Sequence, residues 1–324
     1  MCTCIKVVNE NFYFGRNLDL DYNFGERVVV TPRNYKWKWR NIEDFDRSYA
    51  IIGMANIIDN YPLYADGCNE HGLCMAGLNF PGICVYKEKE ENKINIAPFE
   101  FIPYILARCR NVGEAKIILK KLNICNENFS ENIPAAPLHF MISDRNESIV
   151  VESTKDGLNV YENHVNVLTN NPDFTFHLYN LENYMNLSIS NLSKGFGCGL
   201  KASPYGEGLG AYGLPGDLSP MSRFIRAAFY TNNFVADKDE YSNVNQFFRV
   251  LDSVAMVKGA VLTESGKWDI TTYSCCINAD EGVYYYRTYD NCSINAISLF
   301  NCNLDEEKLF SFELINKGTI NYIN

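Results

Sequence analysis

The chain opens Met1-Cys2-Thr3, and the second residue is the first candidate for chemistry. A thiol attacks as thiolate, and a free cysteine titrating near roughly 8.5 is only a few per cent ionised near neutrality. Met1 can be trimmed when its neighbour is small, and its loss would leave Cys2 with a thiol and a free α-amine on one residue. An α-amino group titrates at about 7.7–8.0, so it can take the thiol proton and later return one to a leaving amine. A Met-Cys start also arises by chance, so the dipeptide gains meaning only from what accompanies it.

Five polar residues are candidates to work with it. Phe14-Gly15-Arg16-Asn17-Leu18-Asp19 carries a guanidinium that would stabilise a thiolate and a carboxylate that would hold an ammonium. Asn79, before Phe80-Pro81, and Asn170, in Leu168-Thr169-Asn170-Asn171-Pro172, each end an apolar run at a proline turn. An amide donates without titrating and therefore suits a charge that develops only in the transition state. Arg223 lies in the first turn of an otherwise apolar helical segment, where the helix dipole opposes a cation, so an anionic partner is expected. Each also has a bland reading, as a surface ion pair for Arg16 and Asp19 and as a turn former for the asparagines.

The elements that must position these groups follow from apolar period. Thr3 to Val8 and Phe12 to Asn17 are β-prone runs joined by Asn9-Glu10-Asn11, a hairpin that places the N-terminus on a rigid strand. Antiparallel pairing can return the Arg16–Asp19 end toward residue 2. Ala50 to Ile58 and Leu73 to Phe80 are further strands, separated by an Asp59-Asn60-Tyr61-Pro62 turn and by Asp66-Gly67. Helices are expected after Asn111 (Ala115, Ile118, Leu119, Leu122), with Glu114 in the capping-box position, and after Ser219-Pro220 (Met221, Phe224, Ile225, Ala228, Phe229). Val244, Phe247, Phe248, Leu251, Val254 and Ala255 mark a third. Strands are expected at Ser148 to Glu152, Leu158 to Tyr161, Val165 to Thr169, Thr271 to Ile277, Val283 to Tyr289, Asn295 to Leu299 and Phe310 to Ile315. Sequential hairpins with paired helices predict an α+β protein with antiparallel sheets, here as one domain over residues 1–324. Gly195 to Gly216 is glycine-rich without period and reads as a long irregular excursion.

Composition narrows the function classes. A net charge of −10 with no basic stripe argues against a nucleic-acid surface, and the densest charge run, Lys87 to Lys93, mixes signs. Twelve cysteines without a Cys-x-x-Cys pair, and four histidines (His71, His139, His164, His177) never at ligand spacing, predict neither a metal nor a cofactor. The absence of a signal peptide or a long apolar run points to a cytoplasmic protein with reduced thiols and no membrane partner.

Taken in order, Met1-Cys2-Thr3, Phe14 to Asp19, Tyr61-Pro62 with Ala65-Asp66-Gly67, Ala76 to Pro81, Leu168 to Pro172, and Leu214 to Asp217 with Ser222-Arg223-Phe224 resemble the choloylglycine hydrolases. These are N-terminal nucleophile amidases, and the similarity runs from Cys2 to Thr288-Tyr289-Asp290 and Ile294 to Ile297, nearest to the bile salt hydrolases. The resemblance implies a four-layer αββα sandwich in which Cys2 attacks an amide, its α-amine shuttles protons, and Arg16 and Asp19 support the N-terminus. It also implies an oxyanion hole from the Asn170 side chain and the Asn79 backbone N–H, with Arg223 supporting the nucleophile region.

The expected substrates are glycine- or taurine-conjugated bile acids, and the implied steroid wall is Leu18, Ile58, Ala65, Phe129, Ile133, Ala136 and Leu138. The family uses the segment matching Gly195 to Gly216 in tetramer assembly, so a homotetramer is expected. Asparagine at position 79 favours bile salts over penicillin V, whose acylases tend to carry tyrosine there. The alternatives are a penicillin V or acyl-homoserine lactone acylase, aminoacyl transfer through the same intermediate, or a lipid carrier with an incidental Cys2. Cys4 departs from the pattern. Two residues along a strand it faces the same side as Cys2, either as a core filler or as an oxidation partner.

Overall fold

β-Branched and aromatic runs too short for helices become strands throughout the computed structural model, which describes residues 1–191, 199 and 203–324. In chain order the first strands are β1 (Cys2–Val8), β2 (Phe12–Leu20), β3 (Arg27–Thr31), β4 (Ile51–Ile58), β5 (Tyr61–Tyr64), β6 (Asp66–Asn69), β7 (Cys74–Asn79) and β8 (Ile94–Ile96). Helices α1 (Phe101–Arg108) and α2 (Val112–Leu119) follow, then β9 (Leu122–Ile124), β10 (Leu138–Ser143), β11 (Ser148–Thr154), β12 (Gly157–Glu162) and β13 (Val167–Leu168). The rest comprises α3 (Phe174–Leu181), α4 (Pro220–Asn232), α5 (Glu240–Asp252), β14 (Ile270–Asn278), β15 (Val283–Thr288), β16 (Asn291–Ser298) and β17 (Phe310–Glu313).

Two antiparallel sheets result. One runs β13-β1-β2-β14-β15-β16, the other β12-β11-β10-β7-β6-β4-β3-β17 with β5 paired to β4. Burial on both faces of the larger sheet follows from the strand period of two. Val28, Val30, Met54, Cys74, Ala76, Leu78 and Met141 join the core shared with the smaller sheet, α4 and α5. Their neighbours Val29, Ala55, Met75, Phe140 and Ile142 pack instead with α1 and α2. The layers are therefore helix, sheet, sheet, helix, the α+β sandwich expected above.

Several local readings change. Tyr61-Pro62 is strand, not turn. Asp59 and Asn60, both at positive φ, make the two-residue reversal alone, and Pro62 is accommodated in the short strand β5. The helix after Asn111 ends at Leu119, and Leu122 begins β9; Glu114 accepts from the Arg110 N–H and not from that of Asn111. β17 leaves the smaller sheet to pair with β3. Helices α1 and α3 carry no sequence expectation; in α1, Phe101 to Ala107 are all buried, so there is no polar stripe to give a 3.6 period.

Candidate active site

The first hairpin sets the geometry. Cys2 pairs with Leu18 across β1 and β2, and beyond that pair the Asp19 N–H donates to the Met1 carbonyl (2.8 Å). The Met1 ammonium donates to the Asp19 carbonyl (2.6 Å) and lies 3.4 Å from Asp269 Oδ2. Cys2 itself is 4% exposed.

Asn170 follows β13, which pairs with β1 through Cys4 and Leu168. Its side chain is used at both ends: Oδ1 accepts from the Cys2 backbone nitrogen and from Arg223 Nη2, each at 2.8 Å, while Nδ2 donates to the Asn79 carbonyl at 2.8 Å. An amide nitrogen has two protons, so one donor of Asn170 remains. Asn79 ends β7 opposite Leu138, and the Phe80 N–H bonds to the Pro137 carbonyl, so Asn79 and Leu138 form a non-hydrogen-bonded pair. Asn79 therefore turns its N–H and carbonyl away from β10, toward the edge where Asn170 sits.

Arg223 is fully buried in the first turn of α4; its direct hydrogen-bond partners are neutral oxygens, and the anionic partner expected for it is Asp19, which acts on it through charge without a direct bond. Its guanidinium donates to the carbonyls of Cys2 and Leu218, to Thr3 Oγ1 (2.6 Å) and to Asn170 Oδ1. Burial pulls its pKa down, against the opposing charges of Asp19, Cys2 and Asp269. Asp19 is buried too, and burial pushes its carboxyl up while Arg223 and the chain's ammonium draw it back; Thr271 Oγ1 donates to it at 2.6 Å.

Arg16 crosses between the sheets, donating to the carbonyls of Ala65 (3.2 Å) and Gly77 (2.6 Å). Burial opposes its charge, but Cys2, Tyr273 and Asp66 outweigh it and its pKa is raised. Asp66 is the fixed counter-charge, itself pushed up by burial and held by the hydroxyls of Tyr273 (2.5 Å) and Tyr284 (2.7 Å). Cys4, fully buried, has its thiol pushed far up by desolvation, which suits a core filler.

The candidate wall residues divide. Leu18 and Ala65 pack in the core that contains Cys2. Leu138, cross-strand from Asn79, and Phe129 belong to the apolar cluster on the other face of the larger sheet, with Phe129 against Phe99 and Tyr61 (ring centres 5.1 and 5.8 Å). Ile58 ends β4; Ile133 closes a turn onto Phe129 through its carbonyl (3.0 Å); Ala136 is exposed, its carbonyl accepting from Tyr86.

Sequence reasoning missed Asp269, Thr3, Asp66 and two buried histidines. His139 Nε2 meets the Thr169 carbonyl (2.9 Å) and His177 Nε2 that of Asn170 (2.8 Å), so consecutive carbonyls of the Asn170 loop are anchored by imidazoles. Metal spacing, the feature tested for histidine, carries no signal for this role. Among the described residues no group of three or more His, Cys, Asp or Glu side chains could hold a metal ion, and no helix is long and apolar enough to cross a membrane. Of the glycine-rich excursion from Gly195 to Gly216, positions 195–198 and 200–202 lie outside the described residues.

Residues 2–312 match the linear amide C–N hydrolases, choloylglycine hydrolase family. A bile salt hydrolase/transferase of Lactiplantibacillus plantarum is 47% identical over 324 residues, covering 100% of both chains. A crystal structure of a mutant conjugated bile acid hydrolase from Clostridium perfringens superposes with a TM-score of 0.92 at 39% identity, covering 100% of each chain. Penicillin V acylase from Agrobacterium tumefaciens, at 18% identity and TM-score 0.77 over 98% of this chain and 94% of that one, shares the fold. With residues 2–312 matched by the family's model and a relative 47% identical along its whole length, the chain belongs to the choloylglycine hydrolase family of linear amide C–N hydrolases.

Proposed function

We propose that the protein hydrolyses the amide bond of glycine- or taurine-conjugated bile acids through a Cys2 acyl-thioester, after removal of Met1. The observation that carries this reading is the 2.8 Å hydrogen bond from the Cys2 nitrogen to Asn170 Oδ1. The atom that becomes the α-amine already sits in a polar clamp, within the same residue as the thiol and two bonds from the carbon that bears it.

In this mechanism the amine takes the thiol proton and Sγ attacks the amide carbon. Arg16, buried beside it, offsets the thiolate charge. The oxyanion is met by the remaining N–H of Asn170 and by the Asn79 N–H, each such donor being worth roughly 3–4 kcal/mol. Arg223 fixes the Cys2 carbonyl and Asn170 Oδ1 together, and buried Asp19, next to the cross-strand partner of Cys2, supports the new N-terminus by its charge. The α-ammonium then protonates the leaving nitrogen, glycine or taurine departs, and a water deprotonated by the same amine cleaves the thioester. Leu18, Ile58, Ala65, Phe129, Ile133, Ala136 and Leu138 form the steroid wall in this reading.

The test is kcat/KM on a panel of glycine and taurine bile-acid conjugates, penicillin V and an acyl-homoserine lactone, with intact mass confirming a Cys2 start. Conjugates should lead, and Cys2→Ala should abolish turnover; a preference for penicillin V or activity in Cys2→Ala would overturn the reading. Aminoacyl transfer is a second reading, favoured by the name of the Lactiplantibacillus plantarum relative. It predicts new conjugates when free amino acids are added. The same reading places the protein in the cytoplasm and has it as a homotetramer; exposed Tyr179, Met185, Ile189, Tyr205 and Tyr212 support the assembly, which sedimentation velocity checks.

A further inference from the structure

Met1 is an amino-acid residue held by a full set of partners. Its ammonium meets the Asp19 carbonyl (2.6 Å) and Asp269 Oδ2 (3.4 Å), and its carbonyl takes the Asp19 N–H (2.8 Å). Around it stand two buried carboxylates, Asp19 and Asp269, 0% and 4% exposed. Each has an oxygen, Asp19 Oδ2 and Asp269 Oδ1, that is buried without a hydrogen-bond partner. Such oxygens are costly unless a donor or cation reaches them. Loss of Met1 removes both the nearby ammonium and the acceptor for the Asp19 N–H. What remains in one place is a carboxylate pair, a carbonyl and an N–H, next to the new α-nitrogen of Cys2.

We propose that the seat of Met1, once vacated, binds a free α-amino acid, with its ammonium on Asp269 and the Asp19 carbonyl and a carboxylate oxygen on the Asp19 N–H. The second carboxylate oxygen then faces the Cys2 α-ammonium, replacing the peptide link with an ion pair. This rests on the loss of Met1 in the reading above and adds to it a place for the amino acid beside the nucleophile.

The experiment uses protein beginning at Cys2, made by cleaving a tag placed directly before it, and a control that retains Met1. Glycine, methionine and N-acetylmethionine are titrated by ligand-observed NMR, with hydrolysis of a bile-acid conjugate measured separately on the same samples. Glycine and methionine should bind saturably to the Cys2-start protein, N-acetylmethionine should not, and the Met1-bearing form should bind none. Asp269→Asn should weaken binding about tenfold, as loss of one charge-assisted hydrogen bond implies. Should that variant fail to fold, Asp269→Glu, which keeps the charge one methylene further out, should change the affinity. Equal binding of N-acetylmethionine, binding to the Met1-bearing form, unchanged affinity in the folded Asp269 variant, or no saturable binding would each overturn the proposal. Binding without hydrolysis would sink the functional reading and leave the seat; hydrolysis without binding would do the reverse.

Discussion

Asn170 links every part of the candidate site, since one oxygen serves the Cys2 nitrogen and Arg223 while its nitrogen serves Asn79. Asn170→Asp keeps the shape and removes both donors, setting a carboxylate against the Asn79 carbonyl and the developing oxyanion. The expected result is a fall in kcat of about 10²–10³-fold with KM little changed, the pattern of an interaction made chiefly in the transition state. A change confined to KM would remove Asn170 from the oxyanion hole. Asp269 shows what residue types alone conceal: in Lys267-Trp268-Asp269-Ile270 nothing marks it, because its partner is the chain terminus, 268 residues away.

At the scale of elements, the loop after β13 is pinned from behind by imidazoles. Burial lowers the His177 pKa from 6.5 to about 4, so the folded protein keeps it neutral where the unfolded chain takes a proton. More protons bound by the unfolded state means stability that falls with acidification. The loss begins near pH 6.5, reaches about 3 kcal/mol, and levels off below about pH 4, where both states are protonated. Urea unfolding at pH 7 and 4.5 should show a smaller loss in His177→Gln than in the parent; equal losses would contradict the assignment. Gly15 makes a separate demand on β2, since a Cβ there would meet the Cys275 carbonyl at 2.0 Å. Gly15→Ala should cost about 3 kcal/mol or more, because backbone cannot yield as a side chain does, whereas Gly206→Ala, with open space, should be near neutral in thermal unfolding. The β1–β2 hairpin was legible because its apolar runs flank a polar turn, and α4 because Ser219-Pro220 caps an amphipathic stripe. Helix α1 was not, being buried on nearly every face; β17 was legible as a strand but its pairing was not, since its partner β3 lies about 280 residues earlier by the pairing of Phe310 with Val30.

Across the whole molecule the candidate site lies where the two sheets meet. The smaller sheet brings Cys2, Arg16, Leu18 and Asp19, the larger brings Asn79 and Leu138, and Arg16 ties them through the carbonyls of Ala65 and Gly77. Apart from Leu18, which shares β2 with Arg16 and Asp19, the proposed substrate wall and the proposed catalytic groups lie on different segments, which makes them separable by mutation. Phe129 sits on the wall side, half-buried against Phe99 and Tyr61 and remote in sequence from every proposed catalytic group. Removing its ring takes away apolar contact that ground state and transition state would share, worth about 1.5–3 kcal/mol if fully covered by the steroid. Phe129→Ala should therefore raise KM for a bile-acid conjugate by about tenfold or more and leave kcat nearly unchanged. The same variant should hydrolyse a short-chain acyl glycine as well as the parent does, since that substrate has no steroid to lose. A fall in kcat on both substrates would mean that Phe129 supports the catalytic side instead, and an unchanged KM would place the steroid elsewhere.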